Sequence, residues 1–198
     1  MENGSVKING TAFYEYLLVA HPDHDVAEKI MAEKQVFFQT YRQKIAIKTK
    51  PHITIANFLA TEDMEETVIR WLMRIISNHS AFTVTLNNYS GFPPHTVYLR
   101  VQDHAPFNLL KKGLGPIKEY VESNIHLPVH VINKPHLSIA RRLPEEVYEK
   151  AMIEYAGKTF TESFSLNHLV LLKRKDQFDA CKQVSMFGMK PQQNNLFN

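Results

Sequence analysis

Lys50–Ala56, KPHITIA, and Lys134–Ala140, KPHLSIA, match at five of seven positions, and the other two exchange Ile for Leu and Thr for Ser. Both stretches read as strands, in which side chains alternate between two faces. Alternation predicts that His52, Thr54 and Ala56 share one face, opposite Ile53 and Ile55. In the second copy His136, Ser138 and Ala140 share a face, opposite Leu137 and Ile139. The apolar residues are suited to burial, so each copy presents an imidazole and a hydroxyl together. The small Ala56 and Ala140 are expected to leave room beside them. Pro51 and Pro135 hold Lys50 and Lys134 extended, and both lysines share parity with their histidines.

Working outward, Phe13–Ala20 reads as a strand, followed by a helix that has Pro22 near its start and Val26, Ile30 and Phe37 on its apolar stripe. Ile45–Lys50 is expected to be extended, and Met64–Ile76 helical with Thr61 or Asp63 as cap. Ala81–Leu86 and Thr96–Val101 read as strands joined by the loop NNYSGFPPH. A helix is predicted over Leu109–Glu122, short strands at Val129–Ile132 and Pro135–Arg142, and a helix over Pro144–Ala156. Strands at Phe160–Leu166, Leu169–Lys173 and Val184–Phe187 complete the pattern. Residues 1–12 are expected to form a loose arm, 13–190 one bilobal domain, and 191–198 a frayed tail. The first strand lacks a following glycine fingerprint, and several connections are too short for parallel crossovers. The pattern therefore favours an α+β fold of two related lobes with mainly antiparallel sheets, outer helices and a central cleft.

The chain has 198 residues, a formal charge of +3 and a single cysteine, Cys181. An internal disulfide and a cysteine-based metal site are excluded, and Cys181 is expected to be a buried small hydrophobe. No apolar run approaches a membrane span, and the N-terminal stretch does not read as a secretory signal. A cytoplasmic protein that uses no membrane is expected. The mild positive charge permits an anionic ligand without requiring one.

Two lobes packed about a pseudo-two-fold axis would bring the histidine faces together across the cleft. Two imidazoles with ordinary pKa values of about 6.5 can divide the labour of a phosphodiester reaction. One takes a proton from the nucleophile while the other gives one to the leaving oxygen. Thr54 and Ser138 can donate hydrogen bonds to the non-bridging oxygens, where charge develops. No step of that scheme requires a metal.

His52-Ile53-Thr54-Ile55 and His136-Leu137-Ser138-Ile139 resemble the paired His-x-Thr/Ser-hydrophobic signatures of the 2H phosphoesterase superfamily, and the order of elements follows that family over most of the chain. The resemblance implies metal-independent, cofactor-free chemistry on RNA or nucleotides bearing a 2′,3′-cyclic phosphate, with a 2′-phosphate as product. A reversible 2′-5′ RNA ligase reaction would use the same machinery. It implies His52 as acid toward the leaving 3′ oxygen and His136 as base toward water. A cyclic-nucleotide or RNA 3′-end phosphodiesterase, and a non-catalytic RNA-binding protein, are the alternatives. A monomer is expected.

Several further residues are candidates for substrate contact. Relatives that process RNA carry an arginine near the second motif; here Arg141 and Arg142 follow Ala140, and strand parity favours Arg142 for the cleft. Lys50 and Lys134 could strengthen the attraction for an anion. Phe92, Tyr98 and Arg100 share parity, and an aromatic beside the cleft could stack on a base. Tyr14 and Tyr16 share a face of the first strand and are candidates for an aromatic lining. Lys173-Arg174-Lys175 could hold a phosphate backbone or lie solvated at a strand end.

Overall fold

The computed structural model describes residues 7–8, 11–175 and 179–192. Within the expected arm, β1 (Lys7–Ile8) and β2 (Thr11–Ala12) pair as a small antiparallel ladder. Residues 1–6 and 9–10 lie outside the described residues, as do 193–198 of the expected tail. The main elements then follow as β3 (Tyr14–Ala20), α1 (His24–Tyr41), β4 (Ile53–Ala60), α2 (Glu65–Ile76), β5 (Phe82–Phe92) and β6 (Thr96–Val101). Next come α3 (Ala105–Gly113), α4 (Gly115–Ile125), β7 (His130–Val131), β8 (His136–Ala140), α5 (Glu145–Tyr155), β9 (Thr161–Leu166), β10 (His168–Arg174) and β11 (Lys182–Gly188).

Two antiparallel sheets form the lobes, with strand orders β11-β10-β3-β4-β7 and β8-β6-β5-β9. The lobes are not the two halves of the chain. Each motif strand lies beside the strand before its connecting helix or helices, β3 beside β4 and β6 beside β8. The next strand inward is β10 in one sheet and β5 in the other, so the halves exchange strands. This explains why the second half of the sequence lacks a clear leading strand. Val129–Ile132 is not that leader; β7 pairs with β4 at an edge of the first sheet, and Thr96–Val101 fills the role.

The helices cross between lobes as well. α1 connects two strands of the first sheet yet packs on β8 and β9 of the second, while α4 packs on β4 and α2. Asp23 caps α1, its side chain accepting a hydrogen bond from the Val26 amide at 3.0 Å. The buried stripe of α1 is Val26, Ile30, Lys34 and Phe37. Phe37 is fully buried and meets Tyr41 and, on α5, Tyr155 at centroid distances of 4.7 and 5.7 Å. One continuous core carries apolar residues from both sheets.

Other boundaries differ from the expectation for local reasons. Ile45–Lys50 forms turns closed by the Ala46 amide on Gln43 O and the Ile47 amide on Lys44 O, so it is not extended. Neither Thr61 nor Asp63 caps α2 through its side chain; a 3₁₀ turn over Glu62–Met64 leads into it. β5 continues through most of the expected loop and ends at Phe92. The helix expected over Leu109–Glu122 is two helices that meet at Leu114. No helix among the described residues is long and apolar enough to cross a membrane.

Removing the Phe37 ring should open a cavity where α1 meets α5. Phe37→Ala is expected to cost about 3–5 kcal/mol of unfolding free energy, read as a lower midpoint in urea with an unchanged slope. A change under about 1 kcal/mol would contradict this role for the α1 stripe.

Candidate active site

The two motif strands share one irregularity. Along β4 the pairing steps from Val19↔Thr54 to Leu18↔Ala56, which leaves Ile55 as an extra residue. Along β8 it steps from Tyr98↔Ser138 to Val97↔Ala140, which leaves Ile139 as the extra residue. A β-bulge of this kind reverses side-chain parity beyond it. Ala56 therefore joins the core and does not stay on the His52–Thr54 face, and Asn57 reaches the cleft in its place. In the second copy Ala140, largely buried, still borders the cleft, and Arg141 reaches it. Position for position, Asn57 and Arg141 are counterparts.

His52, Thr54, His136 and Ser138 line one cleft of about 270 Å³ together with Lys34, Thr49, Lys50, Asn57, Phe92, Thr96 and Arg141. Each imidazole is held in the same way. His52 Nδ1 lies 2.8 Å from the Lys50 carbonyl, and His136 Nδ1 lies 2.8 Å from the Lys134 carbonyl. A carbonyl only accepts, so Nδ1 carries the hydrogen and Nε2 of each neutral ring is the basic nitrogen. Among the described residues neither the Thr54 nor the Ser138 hydroxyl has a hydrogen-bond partner, which leaves both to donate to a ligand.

The surroundings of the two rings differ. Burial pushes His52 down to about 4; the Lys50 carbonyl opposes this, while His21, Lys34 and Arg141 reinforce it. The His21 ring sits edge-on at 6.2 Å and is fixed by Nδ1 on the Pro51 carbonyl at 2.9 Å. Burial also lowers His136, with the Lys134 carbonyl opposing and the Lys134 ammonium reinforcing the shift. The His136 ring packs against Phe92 and Tyr98 at 4.8 and 5.1 Å, and those two rings stack at 4.3 Å. Glu15, on the edge of this region, is already engaged. It accepts from Asn57 Nδ2 at 2.7 Å and pairs with Arg174.

The remaining candidates separate clearly. Lys50, Phe92 and Arg141 border the cleft. Arg142 does not: β8 ends at Ala140, and Arg142 is exposed with φ at 55°. The parity argument for it fails because the bulge precedes it and the strand stops. Lys134 is exposed and sits over the Phe92 and Tyr98 rings at 5.3 and 5.9 Å. Tyr98 is buried beneath Phe92, and Arg100 is exposed with Nε on the Asn87 carbonyl.

Tyr14 and Tyr16 face α2, since the cleft side of β3 carries Leu17. Tyr16 donates to Glu65 at 2.7 Å and stacks on Phe58, and Tyr14 lies under Lys173. Lys173 is held by Glu62 and Glu65, and Arg174 by Glu15, so two of the three charges in that run already have carboxylate partners. Cys181 is exposed, contrary to the expected burial. Among the described residues no three or more His, Cys, Asp or Glu side chains gather as a metal site.

Sequence reasoning passed over Lys34 and Thr49. Lys34 had a visible signal, since it occupies a buried position of the α1 stripe between Ile30 and Phe37. Asn57-Phe58 follows the first copy as Arg141-Arg142 follows the second, a difference expected from the sequence to bear on substrate orientation. Which residue of each pair turns into the cleft had no signal, because single-sequence patterning does not announce a bulge.

Among solved structures the chain is similar to Escherichia coli LigT in its apo form, with a TM-score of 0.66 at 14% identity, covering 90% of this chain and 98% of that one. It is similar to TT0787 of Thermus thermophilus, with a TM-score of 0.64 at 14% identity, covering 90% and 100%. LigT complexed with 3′-AMP gives a TM-score of 0.58 at 11% identity, covering 89% and 98%. These likenesses establish the fold. No curated protein matches the chain in sequence. The 2′-5′ RNA ligase superfamily matches it over residues 22–177, and the chain therefore belongs to that family of 2H phosphoesterase and ligase enzymes.

Proposed function

We propose that the protein is a metal-independent phosphoesterase that opens 2′,3′-cyclic phosphate ends of RNA or nucleotides to 2′-phosphates. The observation that carries this reading is the matched pair of half-sites in one cleft. Each supplies an imidazole with Nε2 available and a hydroxyl with no other partner. LigT, of the same fold, has been solved with 3′-AMP and with phosphate, which supports a nucleotide phosphate as the ligand class.

In the proposed reaction the His136 imidazole takes a proton from water, whose oxygen attacks phosphorus. The bond from phosphorus to the 3′ oxygen breaks, and His52 delivers its proton to that oxygen. Thr54 and Ser138 donate to the non-bridging oxygens, and Arg141 balances their charge from the rim. The product carries a 2′-phosphate and a 3′-hydroxyl. A 5′-hydroxyl end in place of water would turn the same ring-opening step into 2′-5′ ligation, and the reverse of that step would cleave the 2′-5′ linkage back to the cyclic phosphate. Phe92, which packs against His136 and borders the cleft, would stack on a nucleobase.

The resemblance sets His52 as the acid, yet in the free cleft His52 is hard to protonate because of its burial and its cationic neighbours. The acid role of His52 therefore depends on the substrate. A phosphate anion between the rings offsets those charges and restores its affinity for a proton.

Purified protein with 2′,3′-cyclic nucleotides and cyclic-phosphate-ended RNA should turn over in the presence of a chelator. His52→Ala and His136→Ala should each lower kcat by about 100-fold or more, and no turnover on any such substrate would sink the proposal. An activated aryl phosphodiester, whose leaving group needs no proton, should rescue His52→Ala and leave His136→Ala slow. The opposite pattern would exchange their roles.

Both histidines are depressed in the free protein, so the singly protonated pair already declines through the acidic range, before pH reaches neutrality. Accordingly kcat/KM, which reports the free enzyme, should fall from mildly acidic to alkaline pH. By the same principle kcat should hold to higher pH, because bound phosphate raises the acid. A kcat/KM that climbs through pH 8 would contradict this ordering.

A further inference from the structure

Lys34 is a charged residue placed where apolar residues belong. It is 2% exposed and is the one fully buried charged side chain among the described residues. It lies on the face of α1 that crosses beneath β8, and it lines the cleft shared by the histidines. Its ammonium touches two neutral oxygens, Thr49 Oγ1 at 3.4 Å and the Ser138 carbonyl at 3.3 Å. No carboxylate pairs with it among the described residues, and the charge that acts on it electrostatically, Arg141, has the same sign.

Taking an ammonium out of water costs several kcal/mol, and the cost is recovered only when an anion and good hydrogen bonds replace the hydration shell. Two long contacts to neutral oxygens do not do this. An ammonium has three donors, so one N–H remains after those contacts. We propose that Lys34 is a phosphate-binding residue, its third N–H reserved for an oxygen of the phosphate held between His52 and His136.

The inference rests on the cleft's being a phosphate site, as in the proposed function. Burial brings the Lys34 ammonium down to about 8, with Arg141 acting in the same direction. The free protein thus holds this charge against resistance, and an arriving anion relieves it. A purely structural tie between α1 and β8 would gain nothing from being charged. An uncharged side chain of similar length would fill the same space without the desolvation cost. The substrate diester carries one negative charge and the product monoester up to two, so Lys34 should favour product-like phosphates over the cyclic diester.

The test uses the full chain and inorganic phosphate, read by thermal unfolding and calorimetry. Lys34→Met should leave the unliganded protein as stable as wild type or more so. It should bind phosphate about tenfold to 100-fold more weakly, the loss of one charge-assisted hydrogen bond. Lys34→Gln gives the same reading if the methionine variant does not fold, and Lys34→Arg should recover part of the affinity. Product inhibition by a 2′-nucleotide should weaken in parallel.

Phosphate binding that is unchanged in Lys34→Met or Lys34→Gln would overturn the proposal. So would wild-type protein that does not bind phosphate at all. Neither result bears on whether cyclic phosphates are hydrolysed. Conversely, phosphate binding that depends on Lys34 in a protein with no turnover would retain this inference and remove the proposed activity.

Discussion

A single extra residue in each motif strand, Ile55 in β4 and Ile139 in β8, determines what faces the cleft. Before the bulge, ordinary alternation puts the imidazole and hydroxyl on one side and the apolar residues in the core. At the bulge the order reverses. An apolar pair, Ile55-Ala56 or Ile139-Ala140, is carried toward the core, and the polar residue after it turns back to the cleft. Because both copies bulge at the same place, the half-sites remain equivalent up to Asn57 and Arg141. There the equivalence breaks, since one is a neutral amide tied to Glu15 and the other a guanidinium. A phosphate between two matched half-sites would have no preferred orientation; under the proposed function this pair would give it one.

The crossing of helices between lobes matters as much as the strands. α1 leaves the first sheet and packs under the second, so a residue of the first half, Lys34, lies against the backbone of the second motif at Ser138. The cleft thereby gathers Lys34, Lys50 and Arg141, while Glu15 near its edge is held by Asn57 and Arg174. Burial is the main cause of the depressed His52, Lys34 and Arg141 add to it, and the surplus of positive charge suits the cleft to an anion. An anion would neutralise the cations and allow His52 to take up a proton, so under the proposed function binding and activation would be coupled through charge.

Much of this was legible in the sequence. The repeated KPH tripeptides with a hydroxyl two residues on marked the site, and alternation assigned the right faces as far as Thr54 and Ser138. Antiparallel lobes followed from the short connections. Parity beyond the bulge was not legible, because a bulge depends on how a strand pairs with its neighbour, and this misdirected the choice to Arg142 in place of Arg141. The exchange of strands between halves was hidden for the same reason, since pairing partners lie far apart in the chain. Tyr14 and Tyr16 illustrate a third limit. Their shared face was plain, but which side of the sheet it met depended on α2 and its Glu65. Lys34 was legible in principle as a lysine in register with Ile30 and Phe37.

The central claim is that the two half-sites act on a single phosphate. A crystal structure with a 2′-nucleotide tests it most directly. The account predicts one phosphate flanked by Nε2 of His52 and of His136, accepting hydrogen bonds from Thr54 and Ser138 on its non-bridging oxygens. A phosphate held by only one half-site, or bound outside the cleft, would contradict it.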